Sequence, residues 1–167
     1  MKNFKMLTGI AAALLAAGLQ AQEPVTGTPD ESLFTDTDPT LHKNKQAALH
    51  IMRELLQCNQ WDRAGEWLTD RYIQHNPNAA SGLEGVVYYF TQVVKRTPTP
   101  TCDKLTTPIV AVMAEDDLVT VIIPREYTNP NNGEKYTSTW FDTWRFVDGK
   151  ADEHWDPAMI APAAPAQ

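Results

Sequence analysis

The stretch TWFDTWRFVDGKADEHWD, Thr139 to Asp156, places an Asp-Gly pair between two runs in which aromatic and polar residues alternate. Asp-Gly between alternating runs is a strong signal for a two-residue β-hairpin turn. Counting outward from Asp148-Gly149, Val147 faces Lys150, Arg145 faces Asp152, Trp144 faces Glu153, Thr143 faces His154 and Asp142 faces Trp155. Successive side chains point to opposite sides of a strand. One face then carries Trp140, Asp142, Trp144 and Phe146 with Ala151, Glu153 and Trp155. The other carries Thr139, Phe141, Thr143, Arg145, Lys150, Asp152, His154 and Asp156. The first face holds most of the aromatic area, so helices should cover it, and Asp142 is then inside. Burying an ionised carboxylate without partners is costly, so Asp142 must be hydrogen-bonded, paired or protonated. A buried carboxylate among aromatics is a candidate general base, and equally a satisfied structural group. His154 falls on the more polar face, at a subunit contact or in solvent.

Upstream, LVTVIIPREY and LTTPIVAVMA are rich in β-branched residues and are separated by turn signals at Glu115–Asp117 and Asn129–Gly133, which predicts further strands. Pro124 lacks a ladder donor and predicts an edge or a bulge. Further back the period changes. Ala48, Ile51, Met52 and Leu55 recur at helical spacing, and Trp61, Ala64 and Leu68 continue it as a second short helix. RYIQHNP reads as a short strand ending at Asn76, because a residue before proline is pushed toward extended geometry. In that strand His75 alternates with Ile73 and should point inward with it, leaving Tyr72, Gln74 and Asn76 on the other side. Ser81 and Glu84 stand at capping-box spacing, ahead of an apolar stripe of Leu83, Val86, Val87, Phe90, Val93 and Val94 that predicts a third helix. Helices first and a strand meander afterwards define an α+β domain.

The chain opens with two lysines, an apolar run from Met6 to Leu19 and small residues ending at Ala21. This reads as a secretory signal peptide over residues 1–21, too short to span a bilayer, and predicts a periplasmic or secreted protein with no membrane attachment once it is removed. Residues 22–40 are rich in Pro, Thr and Asp, and 158–167 in Ala and Pro, so both are expected to be flexible tails around a single domain at 41–157. Lys and Arg number 14 against 21 Asp and Glu, for a net charge of −7, and the basic residues are scattered. Nucleic-acid binding needs a basic stripe, and none is visible. Small molecules or other proteins are the expected partners. The two cysteines, Cys58 and Cys102, would be free to form a disulfide in an oxidising compartment; two unpaired thiols are the alternative. No Cys/His spacing suggests a metal site.

RYIQHNPNAASGLEGVVYYF together with FDTWRFVDGKADEHWDP resembles the SnoaL-like polyketide cyclases of the nuclear transport factor 2-like superfamily, in particular the aldol-condensation-type group. The resemblance spans Leu41 to Pro157. It implies a cone-shaped fold in which a curved antiparallel sheet wraps three N-terminal helices and leaves a pocket at its open end, with homodimers through the outer sheet face common among similar proteins. It also implies cofactor-independent proton abstraction next to a carbonyl, with Asp142 as acid and base, no metal or organic cofactor, and His75 and Asn76 polarising a carbonyl. The expected pocket walls are Trp140, Trp144, Trp155, Glu153 and Phe90. The chain departs from the group at Ile122 and Pro124, where relatives often carry histidines. That departure favours a second reading, a non-catalytic ligand-binding or dimerisation module on the same fold.

Overall fold

The computed structural model describes residues 22–160, so the expected signal peptide lies outside the described residues, as do positions 161–167 of the expected C-terminal tail. Helix α1 (Pro39–His50) starts where Asp38 accepts hydrogen bonds from the N–H groups of Thr40 and Leu41, with Pro39 in the first turn, where its missing donor costs nothing. It runs on as a wider π-helical segment, Ile51–Gln57. A 3-10 turn, Trp61–Arg63, leads into the short α2 (Ala64–Trp67), and β1 (Leu68–Gln74) follows directly. Helix α3 (Leu83–Tyr88) also ends in a π-helical segment, Tyr89–Val93. The expected capping box does not form: Gly82 is the N-cap, and the Ser81 hydroxyl instead accepts the N–H of Gln74.

Strands β2 (Ala111–Glu115), β3 (Leu118–Thr128), β4 (Lys135–Val147) and β5 (Lys150–Trp155) form an antiparallel meander. The sheet has five strands in the order β1-β5-β4-β3-β2, and β1 pairs parallel to β5, so the sheet is mixed rather than wholly antiparallel. Its curvature around the three helices makes the expected α+β cone. Asp148 and Gly149 both have positive φ, the geometry that a tight turn twisted like its flanking strands requires. On its β2 side β3 is paired only as far as Ile122, so Pro124 lies where a missing donor breaks no ladder.

The core fills the space between α1 and the concave face of the sheet. Phe34, Ala48, Leu55, Val119, Val121 and Ala151 have no exposed surface, and Trp144 is almost fully buried. The presence of Phe34 in this set corrects the expectation of a flexible segment at 22–40. That stretch is tied down by paired backbone hydrogen bonds between Thr28 and Ile109, and by Val25 N–H donating to Thr137 Oγ1 at 2.7 Å. Cys58 and Cys102 form a disulfide across a sequence separation of 44, fastening the end of the α1 π-segment to the loop before β2. No helix among the described residues is long and apolar enough to cross a membrane.

Candidate active site

The open end of the cone leads into a cavity of about 660 Å³, within the range of small-molecule sites. Met52 and Leu55 from the π-segment of α1, Phe90 from that of α3, and the inner faces of β1, β3 and β4 supply its walls. Trp61 stacks on Phe90 at a centroid distance of 3.9 Å, giving a flat aromatic wall. Trp140 and Trp144 line the opposite side, with Asp142 between them.

Asp142 is 5% exposed, and its Oδ1 accepts the indole N–H of Trp140 at 3.1 Å. His154 Nε2 lies 3.1 Å from the same oxygen. The other imidazole nitrogen, Nδ1, is 2.7 Å from Gln74 Oε1, which also accepts the backbone N–H of Asn76 at 3.1 Å. That backbone donor fixes the oxygen of the Gln74 amide toward the ring, so Nδ1 is the nitrogen that carries hydrogen there. The Nε2···Oδ1 contact then needs a hydrogen of its own, because a neutral ring protonated at Nδ1 and a carboxylate would offer two lone pairs to each other. The pair thus shares a proton, as imidazolium with carboxylate or imidazole with carboxylic acid. Oδ2 of Asp142 has no hydrogen-bond partner and is not enclosed, so it is the oxygen presented to the cavity.

Around this dyad the polar groups are held in turn. Asp156 Oδ2 accepts from Asn76 Nδ2 at 2.7 Å and its Oδ1 from the N–H of Ala158 at 2.9 Å. The Tyr72 hydroxyl accepts the Trp144 indole N–H at 3.1 Å, and its own hydrogen has no acceptor among the described residues. Burial first, and then the charges of Asp142 and Asp156, hold the Tyr72 phenol well above its usual range despite the Trp144 hydrogen bond, so it stays a donor. Asp142, His154 and Asp156 each offer one ligand atom within 4.8 Å of the others, a set that could hold a divalent ion.

Asn76, Trp140, Trp144 and Phe90 all reach the cavity beside Asp142. His75, Glu153 and Trp155 do not. Phe146 pairs with Ala151 but Arg145 pairs with Glu153, so Asp152 is an extra residue and every later side chain of β5 changes face. His154 turns inward at 6% exposure, opposite Trp144, while Glu153 and Trp155 turn outward. The bulge is anchored from β1, where Thr69 Oγ1 donates to Asp152 Oδ1 at 2.7 Å and Arg71 pairs with the same carboxylate. Strand β1 is irregular too, since Leu68 pairs with Ala151 and Ile73 with Glu153. Tyr72, not Ile73, is its inward anchor, so Gln74 and Asn76 share the cavity face. The side chain of His75 is 44% exposed, bonded through Nε2 to Glu153 at 2.8 Å and stacked on Trp155 at 5.2 Å. Tyr72, Gln74, His154 and Asp156 are the site residues that strand alternation missed. Ile122 and Pro124 lie on the outer face with Phe141, so the absent histidines leave no gap in the cavity.

A helix-wrapping cone with one deep pocket at its open end is the architecture of the nuclear transport factor 2-like proteins. The SnoaL-like domain model matches residues 50–154, and the chain belongs to that family. Among solved structures, it is similar to a provisionally assigned SnoaL-like polyketide cyclase from Jannaschia sp., at 19% identity over 74% of this chain and 91% of that one, with a TM-score of 0.53. A provisionally assigned polyketide cyclase from Bacillus cereus aligns at 18% identity over 80% and 84%, with a TM-score of 0.51. A nuclear transport factor 2-like protein of unknown function from Burkholderia pseudomallei aligns at 16% over 70% and 91%, with a TM-score of 0.50. These likenesses show the fold. No curated protein sequence matches the chain.

Proposed function

We propose that this chain is an exported enzyme that, without a cofactor, removes a proton next to a carbonyl group and so drives an aldol-type cyclisation or an isomerisation. The observation that carries this reading is the geometry of Asp142, with one oxygen held by Trp140 and His154 and the other free toward an aromatic cavity. Oδ2 takes the proton, the C–H electron pair becomes the enolate, and the negative charge on oxygen is met by the O–H of Tyr72. The acid so formed then returns the proton, to carbon in an isomerisation or to the new alkoxide after the enolate carbon has bonded to a second carbonyl carbon. The apolar leader and the disulfide support export.

The test is solvent-deuterium exchange into planar aromatic ketones, followed by proton NMR. The wild type should catalyse exchange, and Asp142→Asn, which keeps shape but cannot accept a proton, should lose it by roughly a hundredfold or more. A folded wild-type protein that binds such ketones without exchanging them would be a binding module instead. Exchange should survive a chelator. Loss that zinc restores would reassign Asp142, His154 and Asp156 as metal ligands.

A further inference from the structure

The chain has six arginines. Four of them, Arg53, Arg63, Arg71 and Arg145, are paired with carboxylates. The remaining two, Arg96 and Arg125, have no carboxylate partner among the described residues, and both line the cavity. In a chain of net charge −7 acidic partners are plentiful, so unpaired guanidinium groups gathered at one pocket are not an accident of composition.

Arg125 is the better placed of the two. It is half-buried on the inner face of β3, and its guanidinium carbon lies 3.5 Å from the centre of the Trp140 ring. Stacking fixes the plane of the group and leaves its N–H donors pointing outward from the edge, unused by any side chain or carbonyl among the described residues. The same indole donates its N–H to Asp142. Trp140 is therefore a spacer, with a cation on its face and the reactive carboxylate at its edge. The 3.5 Å from guanidinium to ring and the 3.1 Å from the indole nitrogen to Oδ1 keep the cation and the carboxylate near each other without pairing them. A planar fork with free donors suits a carboxylate, which it can bind through two parallel hydrogen bonds.

We propose that the cavity binds a carboxylate-bearing carbonyl compound, with the carboxylate held by Arg125 over Trp140 and the acidic C–H several bonds away at Asp142. The position of that C–H rests on the proton-transfer reading above; the anion site stands on Arg125 alone. Arg96, exposed at the rim, adds long-range attraction for the same charge.

The decisive measurement uses para-acetylbenzoate and its neutral amide, para-acetylbenzamide, titrated against tryptophan fluorescence and followed separately by deuterium exchange at the acetyl methyl group. The wild type should bind the carboxylate roughly tenfold to a hundredfold more tightly than the amide. Arg125→Met should erase that preference by weakening the carboxylate alone. Arg125→Lys, which keeps charge without the fork, should retain part of it and decides the matter if the methionine variant does not fold. Equal affinity for the two probes, binding of neither, or a wild-type preference in these variants overturns the proposal. Preference for the carboxylate without exchange leaves the anion site standing and removes the proton-transfer reading. Exchange without preference does the reverse.

Discussion

His75 and His154 are joined by a backbone hydrogen bond, His75 N–H to the carbonyl of His154 at 3.1 Å, yet their rings lie on opposite faces of the sheet. His154 is sealed against Asp142, whereas His75 is bonded to Glu153 on the outside. The pair is a built-in control for any claim about histidine chemistry in this protein. His154→Gln should lower deuterium exchange by roughly a hundredfold, the usual worth of a positioned proton-transfer group. His75→Gln should leave the rate unchanged. Equal losses in the two variants would remove His154 from the proposed chemistry.

Acid should unfold the protein through a defined set of carboxylates. Burial alone would raise Glu54, but hydrogen bonds from His50 and the Trp67 indole, with the charges of His50 and Arg63, outweigh it and hold the carboxyl below its ordinary 4.5. Asp152 and Glu153 are likewise lowered, first by hydrogen bonds from Arg71 and His75 respectively. A group whose folded pKa is depressed stabilises fully above its unfolded value and loses that contribution as pH falls through the folded one. Urea midpoints should therefore be flat from neutrality to about pH 5 and decline below it. Glu54→Gln should cost roughly 2–3 kcal/mol at neutral pH and make the decline shallower, since it breaks a buried network while removing one titrating group.

The disulfide should account for a large part of the stability. A closed loop with a sequence separation of 44 residues restricts the unfolded chain by about 4 kcal/mol in the chain-entropy account. Protein recovered from an oxidising compartment and alkylated without reduction should show no labelled thiols by mass spectrometry. Reduction should then shift the urea midpoint downward by an amount comparable to that loss. Two labelled thiols per chain would contradict the pairing.

The outer face of the sheet is the proposed dimer contact. Met113, Phe141 and Val147 lie on it at 53%, 42% and 46% exposure, beside the polar network of Arg145 and Glu153. Light scattering at micromolar concentration should return a dimer mass, and Phe141→Glu a monomer. A monomeric wild type would end this reading.

Strand β4 was legible because nothing interrupts it. From the Asp148-Gly149 turn its alternation runs unbroken through Phe146, Trp144, Asp142 and Trp140, so a period of two locates the buried carboxylate without any structure. The third helix was readable from its apolar stripe, although its π-helical end leaves Val93 of that stripe 58% exposed. Strand β5 shares the turn but not the phase, because the extra residue is an aspartate whose place is fixed by Thr69 and Arg71, both distant in sequence. No local pattern announces it. Strand β1 misled for a related reason: Ile73 is the more apolar residue, but Tyr72 is the one whose hydroxyl finds a buried donor in Trp144. The N-terminal end of the described chain was misjudged from composition, since the Pro, Thr and Asp of residues 22–40 supply the turns and caps that seat Phe34.

The bulge at Asp152 divides β5 into two stretches that answer to different demands. Before it, Ala151 is locked to the core and to Leu68; after it, the phase of Glu153, His154 and Trp155 is set afresh. Drawing Asp152 into the ladder would leave the scaffold's packing phase intact and exchange the histidine beside Asp142 for an acidic and an aromatic neighbour, whereas deleting it would only flatten the bulge and keep His154 opposite Trp144. A scaffold with such a joint can change what its pocket does by a shift of strand phase, with no residue of the pocket itself mutated.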